Sequence, residues 1–570
     1  MSDTARLDDM TAIPVAPRAS RSLADRLWLV AGLIVAGLTL LPIGALVVLA
    51  AQPTGDVWSH LIGTVLPRSL QTTFLLLLGV GLITFIIGTG TAWLVTMCRF
   101  PGRALFDWAL LLPLAVPTYI IAYTYVEILT FTGPVQSLVR EIFGFRTSRD
   151  YWFPEVRSLG GAIFVMGFVL YPYVYLTTRA ALLLQSASTL DVSRTLGAGP
   201  TRLFFRVALP LARPAIVVGI SLALMECLND IGAVTFFGVH TLSFSVYDTW
   251  VNRSSLAGAA QIACAMLALV FALLWMERRA RKGQRFHTPS ASYKTLPSYR
   301  LSGPRAWLAT AACALPVLIG FVFPAALLAD YASRRLDDLF DPRLLSAIQN
   351  TLVLSVSAAL LTVVIGVVLT YAHRVQASRL TLLFGRIASI GYAIPGTVLA
   401  VGILIPLANF DNFLDGVARS TFGFSTGLLL IGSGTALVYA YMVRFLAVSY
   451  GQIEGGFGKV TPHLDMAART LGRSSGRILF EVHLPMLRPV LLTALLLAFV
   501  DCMKELPATI LLRPFNFETL ATTVYNAASR EAFGEGALPA LLIVLVGLVP
   551  SILLARTSAR SFRDKASTRF

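Results

Sequence analysis

Four stretches of this chain, 28–51, 74–98, 160–178 and 423–442, each run for nineteen residues or more without a charged side chain. A helix needs about 20 predominantly apolar residues to cross a bilayer. A water-soluble core cannot hide so many such runs. Composition agrees: 56% of the 570 residues are hydrophobic and 13% are charged, against about 25% charged in soluble domains. Lipid must therefore cover part of the surface. The net charge of +16 is explained by basic residues gathered in short segments between apolar runs, the positive-inside pattern. No basic patch interleaved with aromatics points to nucleic acid. Cys98, Cys227, Cys264, Cys313 and Cys502 lie in or beside apolar stretches without CxxC spacing. They read as small apolar residues rather than disulfides or metal ligands.

Twelve spans are expected near 27–51, 70–97, 105–129, 160–182, 213–235, 258–276, 306–329, 349–372, 384–407, 424–447, 488–510 and 537–555. The first run is too long for a signal-peptide core and reads as a retained first helix. Arg99 and Arg103, then Arg194, Arg202 and Arg206, then Arg278 to Arg285 fall in alternate loops. Arg374 and Arg379, then Arg469, Arg473 and Arg477, then Arg556 to Arg569 continue that series. Both ends are expected in the cytoplasm. The organisation predicted is a cytoplasmic segment 1–26, a first membrane module 27–276, a basic Ser- and Pro-rich linker 277–305, a second module 306–555 and a tail 556–570.

The two modules repeat one another. Arg194-Thr195-Leu196-Gly197 recurs as Arg469-Thr470-Leu471-Gly472, a shift of 469 − 194 = 275. Leu209-Pro210 recurs as Leu484-Pro485 and Arg213-Pro214 as Arg488-Pro489 at the same shift, while Gln71 and Pro117 match Gln349 and Pro395 at 278. An even number of spans per copy inserts both the same way round, so the repeat is parallel. The fold class expected is an all-α polytopic membrane protein with about twelve transmembrane helices in two parallel six-helix repeats.

The loops between spans four and five and between ten and eleven are long for connections without a task. Asp191-Val192-Ser193 leads to Gly197, and Val207-Ala208-Leu209-Pro210 follows after nine residues. Met466-Ala467-Ala468 leads to Gly472, and Val482-His483-Leu484-Pro485 follows likewise. This reads as helix, turn, helix. Gly197 and Gly472 permit a left-handed turn, Pro200 suits a first helical turn, and Ser474 or Ser475 is a candidate cap. Leu203, Phe204 and Val207 offer an apolar face, with Arg202 and Arg206 on another. Such a helix lies on lipid headgroups or enters a groove on a partner, and two equivalent copies favour a two-sided partner.

The spacing E-A-A-x3-G-x9-I-x-L-P resembles the cytoplasmic motif of importer permeases of the ATP-binding-cassette type. The departures are Asp191, Val192 and Ser193 in the first copy and Met466 at the acidic position of the second. The resemblance implies that Asp191, Ser193, Gly197, Leu209 and Pro210, with Met466, Ala467, Ala468, Gly472, Leu484 and Pro485, form two coupling loops. These would dock on two copies of an ATPase subunit. It also implies a periplasmic solute-binding protein and a place in the bacterial inner membrane. No GxxxxGK[ST] phosphate loop occurs in the chain, so ATP and Mg are expected on the partner ATPase and no cofactor on this chain. It reads as a transport subunit, not an enzyme.

Ionisable residues inside a membrane are costly and mark function. Glu226 and Asp230 in span five match Asp501 and Glu505 in span eleven at the 275 shift, each pair on one helical face. They are candidates to line a translocation pathway, where carboxylate oxygens suit a hard cation. A structural reading stands beside it: they cap helices broken near Gly232 and Pro507, with Lys504 neutralising Asp501 or Glu505. The stretches Met225 to Trp250 and Lys504-Glu505-Leu506-Pro507-Ala508-Thr509 resemble ferric-iron importer permeases, which also fuse two modules. Thiamine, phosphonate, sulfate and polyamine permeases share the loop motif. A secondary transporter with two parallel halves is the rival of another class. A membrane-embedded enzyme ranks below it, since no HExxH and no His-rich metal cluster occurs.

Because Asp191 has Met466 as its counterpart, Asp191→Met and Met466→Asp are expected to change ATPase coupling unequally in reconstituted complexes. Equal effects on ATP turnover would remove the asymmetry.

Overall fold

The computed structural model describes residues 23–184, 195, 199–281, 299–376 and 378–567. Eleven helices among them are long and apolar enough to cross a bilayer, and a twelfth span is Arg103–Ala115 joined to Thr118–Phe143 across a 91° bend. The chain is thus an all-α polytopic membrane protein in two parallel six-helix repeats. Helices prevail because lipid offers no partner to a backbone N–H or C=O, so each must be satisfied within its own segment.

The principal helices are α1 (Leu23–Ala50), α2 (Leu66–Met97), α3 (Thr118–Leu129), α4 (Leu159–Leu184), α5 (Leu209–Asn229) and α6 (Leu256–Arg281). The second repeat has α7 (Pro304–Val317), α8 (Pro342–Val375), α9 (Gly396–Phe422), α10 (Thr435–Phe457), α11 (Leu484–Met503) and α12 (Phe533–Ser567).

Several expected spans are not straight rods. The run 105–129 breaks before α3, because Pro113 and Pro117 remove two N–H donors and Pro117 takes an extended ψ of 141°. The run 384–407 breaks at the equivalent Pro395, between a helix at Arg379–Ile390 and α9. The runs 213–235 and 488–510 stop at Asn229 and Met503, and short helices Ile231–Phe236 and Pro507–Leu512 follow. The expected span 424–447 starts late, since 423–434 is not helical and α10 begins at Thr435. Uniform hydrophobicity conceals all of these breaks.

Sequence order also conceals an exchange between the modules. Helix α1 packs on the second repeat: the Trp28 and Tyr371 rings lie 5.1 Å apart edge to face, and the Tyr439 hydroxyl donates to the Leu38 carbonyl at 2.6 Å. The first helices of the second repeat pack on the first: Tyr125 donates to Ile319 at 2.7 Å and Tyr331 to Glu127 at 2.7 Å. Each module thus lends its opening helix to the other, and one continuous core spans both. Where the linker ends, Tyr299–Arg300 pairs in parallel with Cys98–Arg99.

Close backbone approach fixes this exchange at Gly402, where an added Cβ would lie 2.2 Å from the Pro42 carbonyl oxygen. Overpacking of this kind costs about 1–3 kcal/mol. Gly402→Ala is therefore expected to lower the thermal unfolding midpoint of the detergent-solubilised chain by several degrees; an unchanged midpoint would refute the tight crossing.

Candidate functional site

Two features repeat in both modules: a loop helix and a cluster of acids. Each is joined to the other by one helical rod.

The second loop is fully described. Pro462–Thr470 forms a helix with Pro462 in its first turn. It closes at Gly472, whose φ of 76° is left-handed, with Arg473 N donating to the Ala468 carbonyl at 3.1 Å. Met466 and Ala467 are exposed, Ala468 is buried beneath them, Leu484 is half-buried and Pro485 is exposed. Ser474 sits at the cap of the next helical turn, but its side chain makes no capping bond. In the first loop, Leu209 is half-buried and Pro210 exposed, while Asp191, Ser193 and Gly197 lie outside the described residues. Pro200 does occupy a first helical turn.

The apolar face expected to meet lipid or a partner turns inward instead. Leu203 is buried, and the Phe204 ring meets Trp93 at 5.0 Å between centroids. The rest of the protein had apolar surface to cover at that point, so the face packs internally. Phe205 and its repeat equivalent Phe480 are exposed in both loops, 64% and 68%.

Sequence reasoning passed over Asp465, beside Met466. Its carboxylate takes Arg374 Nε at 2.7 Å and His483 Nε2 at 2.6 Å. Arg374 also donates to the carbonyls of Phe457 and Val460 at 3.0 and 2.9 Å. The second loop helix is thus anchored to the ends of α8 and α10. The repeat equivalents are Leu190, Thr96 and Ala208, which cannot form this anchor.

The helical stretches Pro200–Asn229 and Ser475–Met503 run without interruption from the loops to the acids, about 45 Å at 1.5 Å per residue. At their far ends Glu226, Asp230, Asp501 and Glu505 all line one cavity of about 80 Å³, together with Arg444 and Lys504. That volume holds a few waters or a small ion.

Each acid has a partner of different kind. Asp230 caps the helix Ile231–Phe236 through Ala233 N at 2.8 Å and accepts from the Thr118 hydroxyl. Glu505 caps Pro507–Leu512 through Ala508 N at 3.0 Å and Thr509 N at 3.2 Å, and pairs with Arg444 at 3.0 Å. Glu226 accepts from the Tyr392 hydroxyl at 3.1 Å. Asp501 pairs with Lys504 at 2.8 Å. Asn229 joins the modules, since its Oδ1 accepts from Arg444 Nη1 and Gly396 N, both at 2.7 Å.

Repeat equivalents explain the asymmetry. Thr118, which serves Asp230, corresponds to Gly396, where a Cβ would sit 2.5 Å from Arg444 Nη1. The missing side chain admits Arg444, whose own equivalent is the apolar Val169. Arg444 is the cavity-lining residue that the sequence reading did not single out. A single arginine inside an apolar span was the available signal. Two donors in the cavity wall lack partners among the described residues, the Tyr119 hydroxyl and Arg444 Nε. Among the described residues, no three carboxylate, thiol or imidazole groups converge as metal ligands.

Residues 84–285 match the family described as binding-protein-dependent transport system inner membrane component. The chain is similar to the Fe(3+)-transport system permease protein FbpB 2 of Haemophilus influenzae, 25% identical over 85% of this chain and 89% of that protein. It is 30% identical to the molybdenum transport system permease protein ModB of Escherichia coli, over 34% of this chain and 84% of ModB. The sulfate transport system permease protein CysT of Escherichia coli is 29% identical over 35% of this chain and 68% of CysT.

Arg444 and Glu505 have side chains only 6% and 1% exposed, so removing one strands the other. Breaking a buried pair costs about 3–5 kcal/mol, whereas an exposed pair is worth about 0–1 kcal/mol. Arg444→Met is expected to lower the unfolding midpoint strongly, and Arg157→Ala, which breaks the exposed pair with Glu531, hardly at all. Similar shifts for both would overturn this ranking.

Proposed function

The chain belongs to the family of binding-protein-dependent transport system inner membrane components, and from that premise we propose that it is the membrane subunit of an ATP-driven importer of ferric iron. Its two duplicated loops dock on two copies of a separate ATPase, which holds ATP and Mg. A periplasmic binding protein delivers the cargo from the other side. The loops, the linker and both chain ends face the cytoplasm, as their arginines favour.

One observation carries this reading: a single helical rod in each module joins the repeated loop to a pair of acids in the shared cavity. Packed helices move as rigid bodies between discrete arrangements. A partner that pulls the two loops together therefore moves Asn229 and Lys504 relative to Arg444 and α9. The contacts that bridge the modules at the cavity, Asn229 to Arg444 and to Gly396, are those such a movement breaks. Opening of the cavity follows from their loss. The exposed Met466, Phe205 and Phe480 supply apolar contact area for the partner.

Ferric iron is favoured as cargo by similarity along both modules to a Fe(3+) permease and by four carboxylates, hard oxygen donors suited to a hard cation. A second reading is an oxyanion cargo. Arg444 and Lys504 in the cavity wall favour it, as do the free donors Tyr119 and Arg444 Nε.

Uptake of radiolabelled Fe(III), molybdate and sulfate by cells with and without the gene separates the two. Asp230→Asn keeps an acceptor oxygen at its helix cap but removes the charge, and it leaves the Arg444–Glu505 pair whole. This variant is expected to cut Fe(III) uptake at least tenfold while the assembled complex remains intact. Unchanged Fe(III) uptake would sink the cation pathway, and gene-dependent molybdate or sulfate uptake would establish the alternative.

A further inference from the structure

We propose that Lys504 is a tethered counter-ion that occupies the Asp501 carboxylate between transport events and must be displaced by a metal cation entering the cavity. The inference deepens the cation reading of the pathway and rests on it.

Asp501 and Glu226 occupy equivalent positions, and the residues three further on are Lys504 and Asn229. Both α5 and α11 end at this point, one at Asn229 and the other just before Lys504. A lysine is therefore not needed to terminate the helix, because an asparagine does so in the first module. What differs is charge. The Lys504 ammonium lies 2.8 Å from Asp501 Oδ1, whereas Glu226 accepts from the hydroxyls of Tyr392, at 3.1 Å, and Tyr173, and forms no ion pair among the described residues.

The pair is also placed to exchange. Lys504 and Asp501 side chains are 28% and 24% exposed, unlike the sealed Arg444–Glu505 pair, and both line the cavity. The lysine stem has four rotatable bonds and its ammonium is a compact point charge, so it can swing away without disturbing the helix. At ordinary charges, the four carboxylates outnumber Arg444 and Lys504 by two. An arriving cation thus meets a net negative wall in which one carboxylate is covered by a mobile internal cation.

Two side chains point to a guest there. Tyr119 is 4% exposed and lines the cavity, and its hydroxyl has no partner among the described residues. Arg444 Nε is equally without one. Unpaired buried donors are costly, and both are satisfied by acceptor oxygens. A hydrated hard cation brings such oxygens on its own water shell while its charge replaces that of Lys504 at Asp501.

Terbium(III) tests this in the full chain reconstituted in lipid nanodiscs. It is a hard trivalent cation, and Tyr119 and Tyr173 in the cavity wall sensitise its luminescence. Lys504→Met is expected to bind Tb(III) about tenfold or more tighter than wild type, a coupling of ordinary size between mutually exclusive occupants. Lys504→Arg should bind as wild type does, and Lys504→Met with Asp501→Asn should lose the gain. In the wild-type chain, Tb(III) should speed amine-reagent labelling of Lys504, a readout independent of any variant's folding. Sensitised binding that is equal in wild type and Lys504→Met, with labelling unchanged, would overturn the counter-ion role and leave the cation pathway standing. No sensitised binding in any form would remove both.

Discussion

The Glu505 carboxylate is the interaction on which the interior depends. A helix that ends inside a membrane protein leaves backbone N–H groups without water to satisfy them. Glu505 takes the N–H groups of Ala508 and Thr509 and the hydroxyl of Thr509, and its charge is met by Arg444. Arg444 in turn reaches Asn229 of the other module. One buried anion thereby closes a half-helix, fixes a cation and binds the two repeats across the cavity. Asp230 caps its own half-helix in the first module but has a threonine where Glu505 has an arginine. The duplication preserves the break in each helix and diversifies the charge around it.

That asymmetry extends to the loops. Arg374, Asp465 and His483 tie the second loop helix to the body of the protein, and the first module has no equivalent set. A charge-assisted network of this kind holds a helix in one orientation more firmly than packing alone. The second loop helix is therefore tied down by contacts that Leu190, Thr96 and Ala208, the residues at the equivalent positions, cannot supply. Because each module also lends its first helix to the other, displacement of one repeat is felt in both. The exchange couples the two modules mechanically around a polar centre.

Much of this was legible in the chain. The bilayer sets a length, so apolar runs of about 20 residues announce the spans. Duplication leaves constant offsets, so the repeat and the equivalence of Glu226 with Asp501 and Asp230 with Glu505 could be read directly. Charged residues in apolar runs are rare enough that four acids at matched positions stood out. Arg444 lies inside the expected span 424–447, but it has no charged counterpart in the first module, where Val169 stands, so the repeat does not mark it. Asp465 is likewise unmarked by the repeat, since its equivalent is the apolar Leu190.

The sequence by itself determined that this is a twelve-span helical protein built twice, with matched loops and matched acids, because hydrophobic length and repeat offset are properties of a line. Only the tertiary structure decided which acid meets which cation, that Leu203, Phe204 and Val207 face inward, and that the first helices change sides. Those outcomes depend on distances between residues hundreds of positions apart. They are set by the competition among buried polar groups for few partners, and a one-dimensional pattern does not record who wins it.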